Sequence, residues 1–134
     1  MKSFDEPRVR RLLADDAFAG GLGVEIVSVE PDEIVLSLKV TPLHTNFLGL
    51  GHGGMVFSLA DCALSLASNS SGDTALAVDA HIALTAPSRP GNVLTARVRP
   101  ISVGQNLATY DVVVARDDGR VVAAFTGTVH IATS

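Results

Sequence analysis

Between Val40 and Gly72 the chain runs for 33 residues with a single formal charge, the carboxylate of Asp61. It stands between Ala60 and Cys62 in a segment rich in Ala, Leu and Ser. Asp is a poor residue for a helix interior, and mid-helix it gains little from the helix dipole. Buried among apolar neighbours, it would sit there at a desolvation cost. The alternative is an exposed stripe shared with Ser58 and Ser65, three residues before and four after it. The second group is His52-Gly53-Gly54, at the start of the same helical run. Amides at a helix N-terminus point outward with positive dipole, so the Gly53 N–H can donate to a carbonyl oxygen gaining negative charge. A plain loop-to-helix hinge would use the same glycines.

Eight residues separate Gly53 from Asp61, roughly 12 Å along a helix axis. One chain therefore cannot bring both to one small reacting group. Two such helices packed antiparallel about a two-fold axis would place Gly53 of one chain near Asp61 of the other, in two identical sites.

The remaining reactive residues point elsewhere. His44, His52, His81 and His130 form no close metal-ligand spacing, and Cys62 is the single cysteine, so neither a metal site nor an internal disulfide is expected. Without a basic neighbour in sequence, Cys62 is expected to be a buried structural thiol. The glycine-rich run Gly49–Gly54 lacks the lysine of a phosphate-binding loop, and no βαβ unit surrounds it.

The elements that must hold these residues follow from periodicity. The pattern predicts a helix over 5–18, with Val9, Leu12, Leu13 and Ala17 on one face and Gly20-Gly21 ending it. A strand is expected over 22–29. Its alternation changes sides after Ile26, from a bulge or from burial on both faces. Strand 34–40, a loop over 41–52 and the long helix 53–70 come next. Four strands complete the chain, at 74–86, 92–103, 107–116 and 120–132, with a tight turn at Asp118-Gly119. Late strands joined by short turns indicate an antiparallel sheet and an α+β fold, with the long helix covering the apolar face.

The chain has 134 residues, enough for one domain spanning 1–134. A net charge of −4 argues against a nucleic-acid surface. The mean hydropathy of +0.36 is high. The uncharged run 40–60 is long enough to span a bilayer, but its Pro, His, Asn and Gly content argues against membrane insertion. Apolar surface shared between subunits is the better explanation. The mixed-charge N-terminus lacks the apolar stretch of a signal peptide, and the lone cysteine fits a reducing cytoplasm.

Asn46-Phe-Leu-Gly49-Leu-Gly-His52-Gly53-Gly54, followed by Leu59-Ala60-Asp61, resembles the hotdog-fold thioesterases, specifically the phenylacetic-acid-degradation (PaaI-type) group. The likeness extends from about Leu22 to Ile131. It implies a sheet wrapped around a central helix, an acyl-CoA substrate, thioester hydrolysis without metal or cofactor, and a dimer of dimers. It also implies that Gly53 polarises the carbonyl and that Asp61 of the facing subunit activates water or attacks directly. Asn46 would hold the carbonyl or the water, Ser65 would orient water, and His52 would shape the site. Gly54, Phe57 and Arg89 would meet substrate. The expected acyl group is an aryl-acetyl, with a medium-chain acyl group or a non-catalytic acyl-CoA-binding role as alternatives. A hotdog hydratase is disfavoured, because its extended motif is missing. The chain departs from the group at Leu84-Thr85-Ala86-Pro87, where Phe-x-Arg-Pro is common, and at Gly104-Gln105, where Gly-Arg is common. Arg89, Arg97 and Arg99 remain as candidates for the CoA phosphates.

Overall fold

The computed structural model describes residues 2–132. Residue 1 and residues 133–134 of the expected 1–134 domain lie outside the described residues. Helix α1 (Glu6–Asp15) opens with a proline in its first turn, which suits a position whose N–H has no helical acceptor. It buries Val9 and carries an exposed Glu6–Arg10 pair at 3.0 Å. The predicted single helix over 5–18 breaks at Asp16. The Asp16 backbone is extended, and its carboxylate accepts from Ala19 N–H at 3.0 Å, starting α2 (Ala17–Leu22). Gly20-Gly21 lies inside α2 rather than ending α1, and Gly23 closes it in the left-handed conformation. A strong N-cap outweighs the poor propensity of two glycines in so short a helix.

Six strands form one antiparallel sheet: β1 (Glu25–Val29), β2 (Ile34–Lys39), β3 (Thr74–Leu84), β4 (Val93–Val103), β5 (Leu107–Ala115) and β6 (Val121–Ala132). Their order is β1-β2-β4-β5-β6-β3. The change of face in β1 is a bulge between Ile26 and Ser28, and Val27 is exposed there. Strand β3 does not pair with β4, its successor in sequence. It crosses to the far edge and pairs with β6.

The predicted long helix is α3 (Gly53–Asn69). Inward side chains alternate along the strands, as in Leu94, Ala96 and Val98 of β4 and Tyr110, Val112 and Val114 of β5. They meet Met55, Val56, Leu59, Ala63, Leu64 and Leu66 of α3. The helix touches β2 through β6, and α1 and α2 pack against it from the side. Arg8 Nε donates to Asn69 O at 2.7 Å, tying α1 to the end of α3. One stripe of α3 stays open, through Gly54, Ser58, Asp61 and Ser65. No helix among the described residues is long and apolar enough to cross a membrane.

Candidate active site

The loop before α3 is built by its own polar groups. A 3-10 turn at Pro42–His44 is closed by Thr41 N–H donating to His44 Nδ1 at 3.0 Å. Asn46 Oδ1 accepts from Leu48 N–H at 2.9 Å and from Leu50 N–H at 3.2 Å. That use of the oxygen fixes the amide plane and leaves Asn46 Nδ2 without a partner among the described residues. His52 caps α3: its Nδ1 accepts from Gly54 N–H at 2.8 Å. With Nδ1 accepting, the neutral ring carries its proton on Nε2. The histidine is thereby committed to holding the helix start, which fits the site-shaping role the resemblance implies.

At a helix start four N–H groups lack helical acceptors. Here three are satisfied: His52 N–H donates to the His44 carbonyl at 2.8 Å, Gly54 N–H to the His52 ring, and Met55 N–H to the His52 carbonyl at 3.0 Å. The Gly53 N–H has no acceptor among the described residues. Gly53 and Asn46 line one cavity of about 380 Å³, together with Leu50, Gly51, Val56, Leu84 and the turn Thr85–Ser88. A free amide at the positive end of a 17-residue helix, facing a cavity with a free carboxamide N–H₂, is suited to hold a carbonyl oxygen as it becomes an oxyanion.

Asp61 is on the same helix but does not line that cavity. It is half-buried on the open stripe, so the stripe shared with Ser58 and Ser65 is real in the single chain. Burial pushes its carboxyl above the usual 3.8, and Asp16, the cap of α2, adds to the rise by charge repulsion. The sequence gives no hint of Asp16, because its approach depends on how α2 packs on α3. Ser65, one turn beyond Asp61, is exposed. Cys62 is buried, and its thiol is pushed up to about 12, chiefly by burial, which rules it out as a ready nucleophile.

Other expected contacts fall outside the cavity. Phe57 stacks edge-on against Phe125, with ring centres 5.5 Å apart. Phe47, next to Asn46 in the motif and no part of the expected set, is 95% exposed. Arg97 and Arg99 both bind Glu33, at 3.3 and 2.6 Å, on the outer face of the sheet, so the two share one carboxylate. Arg89 is exposed beside Ser88, in the turn that borders the cavity. Ser88 itself went unremarked in the sequence. A serine between Pro87 and Arg89 carries no local signal.

The model of the thioesterase superfamily matches residues 48–123, more than half the chain. The Escherichia coli protein named acyl-coenzyme A thioesterase PaaI is 34% identical over 116 residues, covering 87% of this chain and 83% of that one. The solved structure of E. coli PaaI, from the phenylacetic acid degradation operon, superposes with a TM-score of 0.92 at 31% identity, covering 96% and 94% of the two chains. A Streptococcus mutans protein solved bound to acetyl-CoA superposes at 0.79 with 26% identity, covering 83% and 90%. The chain belongs to the thioesterase superfamily, with the hotdog fold. Within it, the chain is of the PaaI type and is a thioester hydrolase.

Proposed function

We propose that this chain hydrolyses acyl-CoA thioesters, with aryl-acetyl-CoA esters of the phenylacetyl and hydroxyphenylacetyl kind as its substrates, at sites completed by two subunits. The observation that carries the reading is the unpartnered Gly53 N–H at the start of α3, facing a cavity shared with Asn46. The aryl-acetyl assignment rests on the phenylacetic acid context of the E. coli relative. In the reaction, water attacks the carbonyl carbon and Asp61 of the facing protomer takes its proton, or Asp61 attacks first and water releases the acyl group. The oxyanion rests on Gly53 N–H with Asn46 beside it. The carbon–sulfur bond then breaks and the thiolate leaves as free CoA once protonated. His52 and Gly54 hold the helix start, Ser65 orients water, and Arg89, in the turn bordering the cavity, meets the CoA end.

Two features support a shared site. Asp61 lies on the one stripe of α3 that its own chain leaves open, about 12 Å along the helix from Gly53. Strand β3 is a long sheet edge with Leu76 71% and Val78 60% exposed, which favours pairing with a second copy. The working unit is then a cytoplasmic homodimer of single-domain chains, assembled further as a dimer of dimers. One observation favours a medium-chain acyl group instead: the cavity is lined by Leu50, Val56 and Leu84 and by no aromatic ring.

The test is thiol release from phenylacetyl-, hydroxyphenylacetyl- and hexanoyl-CoA. The native protein should cleave at least one. Asp61→Asn should lose about a hundredfold or more in kcat, the range for removing a general base. No release from any ester overturns the assignment, and equal turnover by the variant removes Asp61 from the mechanism.

A further inference from the structure

Ser88 is the one buried side chain among the described residues whose polar atom has no hydrogen-bond partner. The residue is 2% exposed and lies in the turn after β3, where it forms part of the wall of the cavity that holds Gly53 and Asn46. Its carbonyl accepts from Gly51 N–H at 2.7 Å, which fastens that turn to the loop before α3. Its Oγ rests in the niche left by the absent side chain of Gly51, where a Cβ would come within 1.9 Å of it. A hydroxyl held there gains no bond and loses its water, which is unfavourable unless a partner arrives. The turn's fold does not use the hydroxyl, because the backbone makes the tie to Gly51. The cavity on its other side is where an acceptor is expected during the reaction.

We propose that Ser88 is a substrate-binding residue of the same site: its hydroxyl turns about the Cα–Cβ bond from the Gly51 niche into the cavity and donates to a carbonyl oxygen of the bound thioester. The inference rests on the acyl-CoA thioesterase reading above. Two carbonyl sources share this chemistry, the thioester and the amides of the pantetheine arm. A bond to the thioester carbonyl strengthens as the oxyanion forms and shows in kcat. A bond to an arm amide is equal in ground and transition states and shows in KM.

The experiment compares native protein with Ser88→Ala and Ser88→Cys, using whichever ester the native protein cleaves. Ser88→Ala removes an unpaired buried hydroxyl and no internal bond, so its melting temperature should equal or exceed the native value. Its kcat/KM should fall about tenfold, the scale of one hydrogen bond. Ser88→Cys keeps the branching with a slightly larger atom and a weak donor, and should stay low as well. Inhibition by free CoA reads the source: an unchanged inhibition constant places the bond at the thioester, and a weakened one places it on the arm. Unchanged kcat/KM in Ser88→Ala overturns the inference while native turnover leaves the hydrolase reading standing. Recovery of activity by Ser88→Cys, or a melting temperature that falls with activity, makes Ser88 a packing residue and also overturns it. A native protein that cleaves none of the esters overturns the hydrolase reading and this inference together.

Discussion

The carboxyl of Asp61 is held above 3.8 by burial first and Asp16 second, and both causes belong to the folded chain. Between 3.8 and that raised value the folded protein binds more proton than the unfolded one, so stability falls as pH rises through the window. Above that raised value the native protein carries the penalty in full. Asp61→Asn should therefore denature at higher urea than the native protein at pH 7, and the gap should close as pH is lowered below about 3.8. Urea titrations at pH 7 and pH 3.5 check it. A variant less stable than the native protein at pH 7 would mean that the carboxylate makes a favourable contact instead. The same residue that is proposed to drive turnover thus weakens the fold that holds it, as expected of a group kept for its reactivity.

Leu64 of α3 packs directly over Gly127 of β6, where a Cβ would meet Leu64 Cδ2 at 2.6 Å and Phe125 Cε1 at 2.9 Å. Gly127→Val should cost about 1–3 kcal/mol by overpacking, seen as a lower urea midpoint at unchanged slope. This scale also shows how far the sequence could be read. The strands were legible because one face meets α3 and the other does not, which writes a two-residue alternation into Leu107–Ala115, while in Ile34–Lys39 the alternation holds only from Leu36 on, Val35 being buried too. The helix itself was legible from its unbroken apolar run, and its start from His52-Gly53-Gly54. The break at Asp16 was hidden, because Gly20-Gly21 reads as a stop and only the folded cap makes it helix. The passage of β3 to the far edge was hidden too, since a strand's partner is fixed by the whole sheet. In the site, Asp61 stood out by being the only charge in its segment. Ser88 did not, because its meaning comes from Gly51, distant in sequence, and from the cavity between them.

For the whole molecule, the exposed apolar residues of β3 carry the expectation of assembly. Val78 sits at the bulge between Ala77 and Asp79, outward from its own chain, so a charge there costs the isolated fold little. Val78→Lys should sediment as a monomer at micromolar concentration, against the dimer proposed for the native protein, with its far-ultraviolet spectrum unchanged and thiol release lost. A monomer that retains full turnover would mean that each chain builds its own site. The placement of Gly53 and Asp61 at separate stations on α3 has a consequence for descent. In a symmetric pair, each copy of the helix would furnish the front of one centre and the middle of the other, yet a gene writes it once. Every inherited change to that rod would then be felt in duplicate. The two centres could only drift in lockstep, and specialising one without the other would need a second gene.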